Sequence, residues 1–393
     1  MNGNRQTKGR NATFRDLASI AAAATFGFGI SSASAETCGD LSEGRCTAKL
    51  STGIDMAYVE TGPATGPAVI LIHGLTDNIR SWWLAMRDLH KQDPALHIIA
   101  VDLRGHGASS MPPASTCATA PEACFKITDF SSDIVALLKS KSIAKATFVG
   151  HSLGTFIVQE IAISNPELVE RAVLVATAAT GVGNVALQDY VLKEPVEGSW
   201  KAALEAKGKK YPADFYTLTP LDADPKAEAW IAKNWVVDPA ADPEFLKPYI
   251  PETAKIRLGT WIGATKALLA TDHTARLKSI KAPVLVMWAT QDNIFVDSDQ
   301  KAIQSGLSEA ASANGTTNYW KQYGALPLPA SGAQESDIGH NIQWSVHEVV
   351  AADIISFIKT GAPTATLVHS APVPDVSKYE TSDKGAIIAK IGK

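Results

Sequence analysis

The chain has 393 residues, 46% of them hydrophobic and 19% charged, with a formal net charge of −4. A chain of that length and apolar content can bury a large core. Its acidic balance offers no basic face for nucleic acid or for an anionic lipid surface.

The first 35 residues read as a secretory signal. Arg5, Lys8, Arg10 and Arg15 make a basic start, 17–30 is an apolar stretch, and Ala33, Ser34 and Ala35 match a small-residue cleavage site. The alanine-rich block is not amphipathic, which argues against a mitochondrial presequence, and it is shorter than the ~20 apolar residues of a membrane span. No later run is long enough for stable membrane insertion. Cleavage after Ala35 removes four positive charges and one negative, taking the net charge from −4 to −7. The mature protein is therefore expected to be exported, either to a periplasm or outside the cell.

All four cysteines lie beyond that point, and an even count in an exported chain predicts two disulfides. Four cysteines allow three connectivities. Cys38 with Cys46 and Cys117 with Cys124 are favoured because each pair closes a short loop beside Gly or Pro, yet the sequence does not decide between the three. Neither pair has the two-residue spacing of a zinc knuckle, and Glu36 and Thr37 do not form the apolar box that precedes a lipidated cysteine.

From about residue 47 to 360, strand patterns alternate with helical ones, the signature of a mostly parallel sheet with helices on both faces. A hairpin at 48–51 and 55–60 opens the body. Apolar, β-branched runs follow at 68–72, 97–101, 146–149, 172–175 and 283–288. After the third of these comes Gly150, His151, Ser152, Leu153 and Gly154, and then a helical pattern over 155–164. A serine on so tight a strand-to-helix turn presents its hydroxyl at the sheet's carboxyl edge above a helix N-terminus, which suits a nucleophile. From 180 to about 281 the rhythm breaks into helical segments carrying Trp200, Trp230, Trp235 and Trp261, read as an inserted, mainly helical cap. The proline-bearing loop 324–338 either walls a pocket or is a surface excursion. Pro363, Pro372 and Pro374 mark 362–393 as an extended tail. The expected organisation is signal 1–35, core 36–179, cap 180–281, core 282–361 and tail 362–393.

Together with the serine turn, four further segments make the chain resemble the α/β-hydrolase fold family over about 54–358. They are His73-Gly74-Leu75, the run Asp102 to Ser109, Asp292 after 284–288, and Gly339-His340 before the last helix. The family's chain order of serine, acid and histidine is met by Ser152, Asp292 and His340. Ser152 needs a base to take its proton; His340, in a loop, is the candidate, and His151 on its tight turn is expected to point elsewhere. Asp292 would orient the imidazole. Its rivals Asp297 and Asp299 are read as acids in the first turn of the next helix. The turn Trp288 to Asp292 lacks the glycine that family members often carry.

The resemblance implies an oxyanion hole from the Leu75 and Leu153 backbone N–H groups, and a structural role for Asp102. His73 and His106 are read as loop packing, without the ligand spacing of a metal site. Trp82, close to the oxyanion turn, is assigned to substrate binding. The expected activity is cofactor-free hydrolysis of a small apolar or aromatic ester or lactone through an acyl-enzyme. Serine at 152 argues against epoxide hydrolases and haloalkane dehalogenases, which use aspartate. Perhydrolases and carbon-carbon bond hydrolases keep the triad and stay open, as does, in another class, a non-catalytic binding protein on a hydrolase scaffold. Oligomeric state is left open.

Overall fold

The computed structural model describes residues 38–39, 41–42, 44–235, 238, 241–324, 338–365 and 388–392. The expected signal segment 1–35, the loop 325–337 and most of the tail lie outside the described residues.

Nine strands form one sheet in the order β1-β2-β4-β3-β5-β6-β7-β8-β9. They are β1 Cys46–Lys49, β2 Asp55–Thr61, β3 Ala68–Ile72, β4 His97–Val101, β5 Ala146–His151, β6 Val169–Val175, β7 Val284–Ala289, β8 Asn318–Tyr323 and β9 Ile388–Ile391. The six from β4 to β8 in this order run parallel, while β1, β2 and β9 pair antiparallel at the edges. Parallel strands buried on both faces need continuous apolar sequence, and β3, β4, β5 and β7 supply it. Their alternate side chains enter two cores. Val69, Leu71 and Ile98 face Met86, Leu89, Ile354 and Phe357, whereas Ile70, Ile72 and Ile99 face Phe130, Ile134, Phe156 and Ile161.

Two strands escape the sequence patterns. β8 reads Asn-Tyr-Trp-Lys-Gln-Tyr, with Lys321 fully buried, because Asp353 of the helix His347–Thr360 takes its ammonium at 2.7 Å. Part of the tail, expected to be extended, returns as β9 along β8.

Between β6 and β7 lie the inserted helices, including Ala186–Val196, Ser199–Ala206, Ala227–Asn234, Pro243–Ala254 and Leu258–Leu269. Their own core is aromatic: Trp200 contacts Trp230 and Trp261 edge-on at 5.4 Å, and Trp235 lies 5.8 Å from Trp261. A second cluster joins this layer to the core of the fold, with Tyr249 and Phe245 against Trp344 at 4.6 and 5.4 Å.

The disulfides are Cys38–Cys46 and Cys117–Cys124, with Cα atoms 5.6 and 5.9 Å apart. Mass spectrometry of the native protein is expected to find no alkylatable thiol before reduction and all four afterwards. Four free thiols in the native protein would contradict both bridges.

Candidate active site

The turn after β5 puts Ser152 at φ +51°, ψ −118°, a strained position for a residue with a side chain. The flanking glycines make the turn possible. A Cβ on Gly150 would stand 2.4 Å from the Gly154 carbonyl oxygen, and one on Gly154 would stand 2.4 Å from that of Ile72. Ser152 thus sits between β5 and the helix Leu153–Ser164, with its own N–H bound to Val175 O at 3.0 Å. Leu153 is the first helical residue, so its N–H has no partner one turn back in the helix.

His340 and Asp292 come from loops beyond the inserted helices. His340 Nδ1 donates to Asp292 Oδ1 at 2.9 Å, which leaves Nε2 as the ring's acceptor. The same Oδ1 accepts from Ile294 N–H and Phe295 N–H at 2.9 and 3.0 Å, fixing the carboxylate's orientation. The turn closes without the family's glycine, through Asp292 N–H to Ala289 O at 3.1 Å. Asp297 and Asp299 are engaged elsewhere: Asp297 pairs with Lys301, and Asp299 accepts from Val296 N–H at 2.9 Å.

Ser152 and His340 line one cavity of about 20 Å³ together with Gly74, Leu75, Asp77, His151, Trp235, Tyr249, Ile294 and Trp344. That is room for about one water. Leu75 therefore presents its loop to the cavity that Ser152 enters. With donors on that loop and at the helix start, the arrangement can stabilise an oxyanion formed at a carbonyl attacked by Ser152.

Two placements differ from expectation, and one residue of the site was not expected at all. Trp82 does not line this cavity; it is fully buried with Ile79, Leu71 and Val149 in the core beneath the sheet. Its position in sequence beside the oxyanion turn misleads because the chain dives inward after Asn78. Trp344 and Tyr249 face the cavity instead. His151 does not point away. It donates from Nε2 to His340 O at 3.1 Å, its ring 4.9 Å from that of His340, and burial holds its pKa well below the ordinary histidine range. A neutral His151 therefore supports the loop that carries His340. The unexpected residue is Asp77, which no sequence pattern marks.

Asp77 is buried, accepts from Asn78 N–H at 2.7 Å, and is also bonded by Ser81, Tyr249 and Gly74. It ties the Gly74–Leu75 turn to the inserted layer through Tyr249. Burial pushes its pKa up to about 7. A carboxyl whose pKa is raised on folding binds a proton in the folded state that the unfolded chain has already lost, so stability falls as pH rises from about 4 to about 7. Asp77→Asn is therefore expected to gain stability relative to wild type between pH 5 and pH 8 in urea unfolding. A difference that stays constant over that range would contradict the assignment.

The remaining histidines of the two Gly-rich turns are structural. His73 Nδ1 donates to Gly74 O at 2.8 Å while its Nε2 accepts from Leu103 N–H at 3.0 Å; His106 Nδ1 donates to Arg104 O at 2.8 Å. Burial lowers both, His106 to about 4. Asp102 accepts from Ile79 and Ala108 N–H at 2.7 and 2.8 Å, bracing the loop. Among the described residues no group of three or more His, Cys, Asp or Glu could hold a metal ion.

A family model described as alpha/beta hydrolase fold matches residues 67–312. Among curated proteins, the chain is 28% identical over 246 residues to 3-oxoadipate enol-lactonase 2 of Acinetobacter baylyi, covering 63% of this chain and 79% of that one. It is 31% identical over 140 residues to epoxide hydrolase 3 of Mus musculus, covering 36% of this chain and only 34% of that protein. Among solved structures, an esterase from Exiguobacterium antarcticum superposes with a TM-score of 0.59 at 14% identity, over 80% of this chain and 99% of that one.

Proposed function

Because this chain belongs to the alpha/beta hydrolase fold family, we propose that it is an exported serine hydrolase cleaving a carboxylic ester or lactone through an acyl-enzyme. Ser152 Oγ attacks the carbonyl carbon while His340 Nε2 takes its proton, and Asp292 holds the imidazole and stabilises the imidazolium. The Leu75 and Leu153 N–H groups receive the oxyanion. Collapse expels the alkoxide, which takes the proton from His340; water then attacks the acyl-enzyme with His340 as base, and Ser152 is regenerated. No cofactor enters these steps, and the segment 180–281 serves as the cap over them.

One observation carries the reading. Ser152, at φ +51°, lines the same cavity as a histidine whose Nδ1 is bound to Asp292. The ester or lactone class is supported by the likeness to an enol-lactonase and an esterase, and a serine at 152 separates this chain from the aspartate nucleophile of epoxide hydrolases. Export is supported by the signal-like start and by two disulfides, which an oxidising compartment preserves. Among the described residues no helix is long and apolar enough to cross a membrane.

The test is a panel of p-nitrophenyl esters and simple lactones on the mature protein. Turnover of at least one, with Ser152→Ala at background, is expected. Equal, slow hydrolysis of every compound by both proteins would overturn the reading.

A further inference from the structure

The cavity at Ser152 cannot hold an acyl arm, yet a chamber of about 550 Å³ lies beside it, within the size range of small-molecule pockets. Trp235 and Ile294 line both spaces. Among the described residues these two stand between the spaces and form the partition. On the chamber side its apolar walls include Val191 and Trp230, and its polar ones Glu194 and Asn293. We propose that this chamber binds the apolar arm of the ester, and that Trp235 and Ile294 set the arm length accepted at Ser152; the proposal rests on the ester-hydrolase reading.

Two further observations favour an apolar arm over a charged ligand. The large apolar side chains that the described residues leave exposed are Val182, Val185, Tyr190 and Val296, at 56, 62, 71 and 44%. All four stand on the segments 182–190 and 294–296, which also supply the chamber residues Tyr190 and Ile294 and are tied together by Asn184 Nδ2 donating to Ile294 O at 2.7 Å. Apolar exposure of this kind marks an entrance or a contact surface. Glu194 is the charged residue on the chamber's described lining, and Lys193 before it is paired with Asp189, so that lining offers no cation to a phosphate or an anionic headgroup. The partition is also anchored to the chemistry. Ile294 N–H donates to Asp292 Oδ1, and the Trp235 ring rests on buried Trp261.

The experiment compares kcat/KM for p-nitrophenyl decanoate and acetate in wild type, in Trp235→Ala and in Ala186→Trp, which fills the chamber. Trp235→Ala is expected to raise the decanoate-to-acetate ratio at least fivefold and Ala186→Trp to lower it at least tenfold. Asn234→Trp, at an exposed position on the same wall, replaces Ala186→Trp if that variant does not fold. A second readout needs no turnover: decanoate binding to Ser152→Ala, followed by tryptophan fluorescence, is expected to weaken at least tenfold when the filling substitution is added. Loss of acetate turnover in wild type would sink the ester-hydrolase reading while leaving this binding test intact. Ratios and decanoate affinity unchanged within twofold would overturn the chamber assignment. So would a Tyr190→Ser variant that alters sedimentation but not the ratio, since the rim would then pair two copies of the chain.

Discussion

Ser152→Ala is expected to lower kcat on the best ester of the panel by roughly 10⁴–10⁶-fold, with KM changed far less. The hydroxyl forms the acyl bond, so its loss removes the covalent route and leaves only water attack assisted by the backbone donors. His340→Ala should cost about as much, because a serine without its base is a poor nucleophile at neutral pH. The double variant should be no slower than either single one, since the two residues act as a unit. Asp292→Asn tests a different link. The Nδ1–Asp292 bond at 2.9 Å sets which ring nitrogen carries the proton, and an amide there can present its NH₂ to Nδ1 and trap the wrong tautomer. A fall of about 10⁴-fold in kcat with the fold intact is expected. Retention of wild-type kcat in Ser152→Ala, or independent multiplicative losses in the double variant, would contradict the shared role.

The largest loss of stability is expected at Asp353, far from the nucleophile. Its carboxylate is fully buried, takes the Lys321 ammonium and the Tyr323 hydroxyl on Oδ2, and accepts from Thr364 N–H at 2.8 Å on Oδ1. Burial pulls the Lys321 ammonium below its usual range, and Asp353 opposes that pull. Asp353→Ala would leave the ammonium with Thr364 as its main partner. Removing one member of a buried pair costs about 3–5 kcal/mol, which lowers Tm by roughly 5–10 °C in a domain of this size. Replacing both, as Lys321→Met with Asp353→Leu, should restore most of it, because no charge is then stranded. Calorimetry on the three proteins checks this; a single variant as stable as wild type would show that the pair contributes little. Activity should follow stability here, since this pair ties β8 to the helix that begins seven residues after His340.

The parts of the fold legible in the sequence were those written in apolar runs. β3, β4, β5 and β7 are buried on both faces and read as continuous hydrophobes. The serine turn was legible because steric crowding demands glycine at 150 and 154, and sequence records such demands directly. β8 was hidden because its lysine is neutralised by a residue 32 positions later, and β9 because its partner lies some 70 residues away. Pairings of that kind leave no local period.

The site divides along the same line. Strand ends and chain order point to Ser152, Asp292 and His340, which the fold brings together, whereas nothing local points to the rest of the cavity lining. Trp82 lies near the oxyanion turn in sequence, but a helical turn after Asn78 carries it into the core, and Trp344, nearly 200 residues beyond Ser152, lines the cavity instead. Asp77 goes unmarked in the sequence, and His151 is read there as pointing elsewhere, for a related reason. Their significance is burial against groups from distant elements, Tyr249 for one and the His340 carbonyl for the other.

Labelling with a fluorophosphonate, read by intact mass and peptide mapping, tests the central claim most directly because it reports the nucleophile whatever the natural substrate is. One adduct per chain is predicted, on Ser152, absent from Ser152→Ala and strongly slowed in His340→Ala. An adduct that persists in Ser152→Ala, or a wild-type protein that takes no label, would contradict the account.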